Sequence, residues 1–343
     1  MIILKKEFSG FTKDIKINVL DHDWEAESEY NLNNLLYLYN IEVIKDINKE
    51  YNKLISLVNT NNINYKYLLG ERKYIDKINK VKISLNKIMH KDNLEYINIL
   101  GSRINFTSNF TNFSYKGNEY TPGIYDHLTS STGRVKIKNA DINLLTLKKE
   151  ERKNIDSAYV GGRIYAIDII SLEPRVMMHM QGVKGITDIY THIQSKLSKN
   201  YERSKIKIGV ISTIYGGANK TVKSVSGISY SDIKIIKDYF GIQKFIDRYK
   251  DNKIIRNYYG RPIKVTNAIV NHYIQSSSAD CAILAFNKLM NEWKNLRVNF
   301  IGFIHDAIII DVHPDHFDNI ENLEGVYESK MNIILPVKVE KIS

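Results

Sequence analysis

The sequence predicts an α+β fold in which a small antiparallel sheet is surrounded by helices. Two apolar runs, Val298-Asn-Phe-Ile-Gly-Phe-Ile304 and Ala307-Ile-Ile-Ile-Asp-Val312, flank His305-Asp306 as the arms of a β-hairpin. A third run, Arg163-Ile-Tyr-Ala-Ile167, is a buried-strand candidate leading directly into Asp168. Most of the remaining chain carries apolar residues at helical spacing, and Asn271 to Leu296 reads as a long helix rich in alanine and leucine.

In chain order, residues 1–30 mix short β-like alternation with acidic residues and receive no assignment. From about 31 to 100, Leu35, Leu36, Leu38, Ile41 and later Ile75, Ile78, Val81 and Leu85 recur at helical spacing, which predicts two or three long helices. Between about 101 and 150 the pattern breaks around Gly117, Pro122, Gly123 and Gly133, predicting loops and short strands. Helical character returns from Pro174 to Met180 and dominates 188–270, where Arg256 to Pro262 marks a turn. No repeat, low-complexity linker or punctuated domain boundary is present in the sequence.

The 343 residues are 43% hydrophobic, the composition of a folded globular protein. A formal charge of +11 favours a polyanionic partner, but abundant Lys, Asn, Ile and Tyr also fit AT-rich codons, so charge alone does not establish one. A single cysteine, Cys281, excludes an internal disulfide and a multi-cysteine zinc site. Met1-Ile-Ile-Leu runs at once into Lys5-Lys6-Glu7, unlike a signal peptide, and no run approaches the roughly 18 apolar residues of a membrane span. The expectation is a soluble protein with no membrane partner in a reducing compartment, the cytoplasm.

Chemistry concentrates in three segments. Asp168 and Asp306 each end a strand-like stretch, and on adjacent strands they would reach one sheet edge. Two such carboxylates suit a pair of magnesium ions, which prefer oxygen ligands and keep several waters. Between them, Arg203, Lys207, Ile211 and Tyr215 are spaced four apart, so on a helix they share one face about 18 Å long, cationic at one end and apolar at the other. Each piece alone fits a bland alternative: a turn aspartate, or an amphipathic helix with a solvated basic edge. Gly161-Gly162 and Gly216-Gly217 form no phosphate-binding loop, and no H-E-x-x-H arrangement occurs. Asp311 has the opposite strand parity from Asp306 and should face away.

Together these segments resemble the three signature motifs of family-A DNA polymerases. Asp168, Glu173, Arg175 and His179 match the first at family spacing; Arg203, Lys207, Tyr215 and Gly216 match the second; His305-Asp306 matches the third. Thr132-Gly133-Arg134 with Asn143-Leu144, Gly260-Arg261, and Asn271-x3-Gln275 with Ala279-Asp280 resemble three further pieces in family order, so the resemblance runs from about residue 127 to the C-terminus. The resemblance implies a right-hand polymerase fold: an antiparallel-sheet palm from 131–185 and 265–343, helical fingers over 186–264, and a helical thumb over 31–130.

It also implies site roles. Asp168 and Asp306 become the catalytic ligands of two magnesium ions, with the Ile169 carbonyl as a third contact. Arg203 and Lys207 bind the incoming triphosphate, Tyr215 lies beside the templating base pair, and Glu173 sits under the sugar where its bulk excludes a 2′-hydroxyl. Arg134 with Thr132, Asn271, Gln275 and His305 become contacts to primer-template DNA; Arg175 is grouped with them and braces the site through hydrogen bonds. The implied reaction is template-directed addition of deoxynucleoside triphosphates to a primer 3′ end.

Several positions depart from the family pattern. Ile211 stands where an aromatic usually packs on the nucleotide, Ala307 replaces the acidic residue after His-Asp, and Ser171 and Ser276 replace a glutamine and a glycine. Tyr190, in Asp188-Ile-Tyr-Thr191, replaces a phosphate-contacting histidine, with His192 as a candidate substitute. Only 39 positions separate Asp168 from Lys207, and 91 separate Tyr215 from Asp306, which suggests trimmed fingers. About 130 residues before Thr132 leave no room for a proofreading nuclease domain beside a thumb, so Asp23-Trp24-Glu25 reads as an acidic loop, and a separate nuclease or processivity factor is expected as a partner. A compact core with this codon bias suggests phage origin. A single-subunit phage-type RNA polymerase and a catalytically inactive DNA-binding replisome scaffold are the alternatives; Glu173 and Gln275 argue against the first, and the four intact charged residues against the second.

Overall fold

The computed structural model describes residues 91–343 apart from Leu128 and Ser131. The expected segment 1–30, Asp23-Trp24-Glu25 and the helices expected over 31–90 lie outside the described residues. Ser102–Ser343 forms one compact unit, and residues 91–101 belong to a second, Met1–Gly101. Apart from the first residues of α1, every residue discussed below lies in the unit Ser102–Ser343.

The described helices are α1 (Lys91–Ser108), α2 (Lys149–Arg152), α3 (Leu172–Met180), α4 (Ile189–Gln194), α5 (Arg203–Ile214), α6 (Asn219–Ser226), α7 (Tyr230–Tyr239), α8 (Ile242–Tyr249), α9 (Ile269–Glu292) and α10 (Phe317–Glu321). The strands are β1 (Phe113–Tyr115), β2 (Asn118–Tyr120), β3 (Ile124–Asp126), β4 (Lys136–Lys138), β5 (Ile155–Asp156), β6 (Arg163–Ile169), β7 (Ile254–Arg256), β8 (Pro262–Lys264), β9 (Val298–Ile304), β10 (Ala307–Val312), β11 (Gly325–Glu328) and β12 (Ile333–Lys341). Helices do dominate 188–270, and the expected 256–262 turn joins the β7–β8 hairpin.

The principal sheet has five strands in the order β11-β12-β6-β10-β9, all antiparallel. β6 is central because its side chains bury on both faces: Ile164, Tyr165, Ile167 and Ile169 are buried, and Asp168 is its one exposed position. β9 and β10 form the expected hairpin around His305-Asp306. A two-residue hairpin loop needs positive φ to match the twist of its strands, and His305 supplies it at φ 56°. β12 flanks β6 on its other edge and sets Lys338 opposite Asp168; no sequence expectation covered β11 or β12. β3 pairs with β4 and β1 with β5, tying residues 113–126 to 136–156.

α9 packs on α3 and β11. Its 24 residues contain neither glycine nor proline, so nothing interrupts the backbone ladder, and most of its length is buried. Phe286 on α9, Phe303 on β9 and Phe106 on α1 meet edge to face with centroids 6.1 Å apart in each Phe303 pair. Each such ring contributes about 1.5–3 kcal/mol by leaving water.

Beside this apolar core lies a buried ionic one. Asp280, fully buried on α9, accepts hydrogen bonds from Arg103, from Arg261 (3.0 and 3.3 Å) and from Asn257 Nδ2 (2.6 Å). Arg103 also donates to the Gly133 carbonyl at 2.6 Å, and Arg261 to the His127 carbonyl at 3.2 Å. Gly133 has φ +68°, and a Cβ there would lie 2.9 Å from Arg261 Nε, so the glycine admits the guanidinium. Three of the family-like pieces, around Gly133, Arg261 and Asp280, therefore converge on packing.

His127 completes the cluster, accepting from Arg103 Nε at Nδ1 (3.2 Å) and facing Thr107 Oγ1 with Nε2 (2.9 Å). Burial, then the charges of Arg103 and Arg261, push its pKa well below the ordinary histidine value. As pH falls below about 6.5 the unfolded chain binds a proton there that the folded chain refuses, so stability drops by up to about 1.4 kcal/mol per pH unit. Urea melts at pH 7 and 5.5 should show this loss, and His127→Gln should reduce it; an equal loss in the variant would exclude His127 as its source.

Candidate active site

Asp168 and Asp306 come together at one end of the principal sheet. Asp168 pairs in register with Ala307, and the Ile169 N–H donates to the Asp306 carbonyl at 3.1 Å, so the Asp306 turn caps the end of β6. Burial, then the Asp168 and Glu173 carboxylates, raise the Asp306 pKa to about 7. Desolvation at the strand end also raises Asp168, against the charges of Lys207 and Lys338. Both carboxyls are thus raised chiefly by leaving water. Among the described residues no group of three or more His, Cys, Asp or Glu side chains forms a metal cage. Two neighbouring carboxylates at a strand end are hard oxygen ligands suited to magnesium with retained waters.

The chain turns sharply after β6. Ser171 adopts a left-handed conformation, φ 55° and ψ 47°, and starts α3, which carries Glu173 next to the aspartates. Positive φ at non-glycine residues is uncommon, and here Ser171 and His305 place it beside both carboxylates. Arg134 Nη2 donates to Glu173 Oε1 at 3.1 Å, and the Tyr215 hydroxyl donates to the same oxygen at 3.1 Å. Gln275 lies close enough to the Tyr215 hydroxyl to act on it. Arg134, Glu173, Tyr215 and Gln275 form one polar chain drawn from four distant segments, a connection that no local spacing revealed.

α5 presents the expected face. Ile206, Gly209, Val210, Thr213 and Ile214 are buried, leaving Arg203 and Lys207 exposed and Ile211 and Tyr215 half-buried on the opposite side. Gly216, at φ +79°, ends the helix directly after Tyr215 and so fixes the tyrosine at the helix end near Glu173. Arg203 donates to Asp188 through Nε (3.3 Å) and Nη2 (3.2 Å), and its guanidinium carbon sits 5.1 Å from the centroid of the Tyr190 ring. Burial raises the Asp188 carboxyl, but hydrogen bonds from Arg203, Thr191 and the first N–H groups of α4 together hold it below its usual range. Asp188 and Tyr190 as partners of Arg203 escaped the sequence reading.

The other candidates take varied places. Arg175 donates to the carbonyls of Ile170 (3.4 Å), Ile186 (2.6 Å) and Thr187 (3.1 Å), a brace between α3 and the segment leading into α4 that occupies its guanidinium. Gln275 is buried, and Asn271 keeps a buried Oδ1 with no protein partner. His305 is exposed, with a pKa lowered by desolvation and then by Arg134 and Arg152. Thr132 and Ser130 share a hydroxyl hydrogen bond of 3.0 Å. His192, the candidate substitute for the histidine missing at 190, shares a 3.0 Å hydrogen bond with Tyr239. Asp311 is buried, accepting from Ser157 Oγ (2.5 Å) and Ala158 N (2.8 Å). Cys281 is a buried free thiol raised by burial. No helix among the described residues is long and apolar enough to cross a membrane.

Comparison with known proteins places this geometry. DNA polymerase I of Chloroflexus aurantiacus is 24% identical over 263 residues, 63% of this chain and 27% of that protein. Among solved structures, the POL domain of Pol1 from M. smegmatis, in complex with DNA primer-template and dNTP, superposes with a TM-score of 0.52 at 17% identity, covering 75% of this chain and 52% of the other. The chain therefore spans about a quarter of the curated relative's length and about half of the solved one, and the structural likeness speaks to the fold. The sequence model of DNA polymerase family A matches residues 73–341, well over half of the chain. Mixed helices and an antiparallel sheet, the two aspartates at its end and this match lead to one assignment: the chain belongs to DNA polymerase family A.

Proposed function

We propose that the chain performs template-directed DNA synthesis, adding deoxynucleotides to a primer 3′ end with release of pyrophosphate. The observation that carries this reading is the pairing of β6 with β10, which sets Asp168 beside the Asp306 turn, under Glu173 and within the field of Lys207. The primer 3′-oxygen attacks the α-phosphorus, a new phosphodiester bond forms, and the bond to the β-phosphate's bridging oxygen breaks. Asp168, Asp306 and the Ile169 carbonyl would hold two magnesium ions, which when bound activate the attacking oxygen and neutralise the leaving group.

The chain's own residues do the rest. Arg203 presents a planar fork and Lys207 a point charge to the triphosphate. Tyr215, fixed between Glu173 and Gln275, borders the nascent pair, while Glu173 occupies the space a 2′-hydroxyl would need. Ile211 offers an apolar surface without an aromatic face, so stacking on the incoming base is weaker there. Arg134 and His305 lie beside the primer end, with Asn271 and Gln275 along the duplex. The single-subunit RNA polymerase alternative is not favoured: the family match is to DNA polymerases, and Glu173 stays in place.

Primer extension with matched deoxy- and ribonucleotides tests the reading. The parent chain should strongly prefer deoxynucleotides, and Glu173→Ala should narrow that preference by roughly tenfold or more, since removing one sterically decisive group is worth about 1–3 kcal/mol. Equal use of ribonucleotides by the parent would sink the assignment of sugar choice to Glu173.

A further inference from the structure

Arg203 is not a loose surface cation. Its Nε and Nη2 edge meets Asp188 at 3.3 and 3.2 Å, and its guanidinium lies 5.1 Å from the centroid of the Tyr190 ring. Asp188 is itself fixed, because it caps α4 by accepting from the N–H groups of Tyr190 and Thr191 and from the Thr191 hydroxyl at 2.9 Å. Tyr190 is only 2% exposed, so its ring is a rigid wall beside the first residue of α5.

We propose that Tyr190 is a positioning residue for Arg203, its ring and the Asp188 carboxylate forming a seat that pre-orders the guanidinium for the triphosphate of an incoming nucleotide. An arginine free in solvent loses much of its rotamer freedom when a ligand orders it. A seat that orders it beforehand removes much of that cost from nucleotide binding. Nη1 is the guanidinium nitrogen outside the Asp188 contact, and it is the one presented to the phosphates. The aromatic face supplies attraction without a competing negative charge. The inference rests on the polymerase reading above and adds a residue that acts through Arg203.

Steady-state single-nucleotide extension with all four deoxynucleoside triphosphates tests it, using Tyr190→Leu, Tyr190→Phe and Arg203→Ala, alone and combined. Tyr190→Leu should raise the nucleotide KM roughly three- to tenfold, with the primer-template Kd unchanged. Tyr190→Phe keeps the ring and should hold the KM within about twofold of the parent. In the Arg203→Ala background, Tyr190→Leu should add less than about twofold, because the two residues act as a unit. Should the leucine variant melt early, Tyr190→Met provides a longer apolar filler for the same comparison. An unchanged KM in the leucine or methionine variant overturns the inference. So does an equal rise with and without Arg203, which would mark a merely structural ring. Failure of the parent to extend any primer would instead sink the polymerase reading, and this inference with it.

Discussion

Asp306→Ala is expected to abolish primer extension, lowering kcat by about a thousandfold or more, while primer-template binding stays within about twofold. The turn should survive the change, because the positive φ of this hairpin belongs to His305 and not to Asp306, and the Ile169 N–H bonds to the main-chain carbonyl of residue 306. What disappears is a carboxyl that burial, and then the neighbouring Asp168 and Glu173 carboxylates, raise to about 7. Removing a like charge relieves strain in the metal-free protein, so lost activity would not reflect lost folding. Single-turnover extension, with anisotropy for DNA binding and a thermal melt as controls, separates these effects. A kcat within tenfold of the parent would show that the chemistry lies elsewhere.

Asp280→Ala is expected to have the largest effect on stability, about 3–5 kcal/mol. Asp280 is the carboxylate to which both Arg103 and Arg261 bind, and all three are almost wholly buried. Without it, two guanidinium groups face each other in a dry interior, and Asn257 Nδ2 loses its acceptor. The contrast is Arg134→Ala, which breaks a pair whose arginine is 43% exposed; its effect on stability should stay within about 1 kcal/mol. Urea denaturation of both variants checks the ranking. Comparable losses would mean that the buried cluster adds little beyond a surface pair.

These two residues show what was legible in the chain. Asp168 and Asp306 stood out because short apolar, strand-like runs end at them, and a strand end is where a chain leaves the core for solvent. The Arg203 face of α5 was equally visible, since a four-residue repeat on a helix is a local property. Asp280 and Arg261 could be noticed as family-like pieces, yet their work was hidden. Arg103 reaches Asp280 across 177 positions, and nothing local distinguishes a buried arginine from a solvated one.

The same reason explains the chain of Arg134, Glu173, Tyr215 and Gln275. Each residue was a candidate contact to DNA or nucleotide, but only folding shows that they contact one another. Lys338 escaped notice because β12 must pair with β6 before it can face Asp168. His192 illustrates the converse: adjacency in sequence suggested it for the role of the histidine missing at 190, and its hydrogen bond to Tyr239 gives the ring another partner.

The central claim is that the end of the β6–β10 sheet is a nucleotidyl-transfer centre. Its most direct test is extension of a labelled primer on a defined template by the purified chain, with magnesium and all four deoxynucleoside triphosphates, while released pyrophosphate is counted. The account predicts a ladder that follows the template, one pyrophosphate per added nucleotide, and no product when magnesium is chelated. Tight primer-template binding with no extension under these conditions would contradict it.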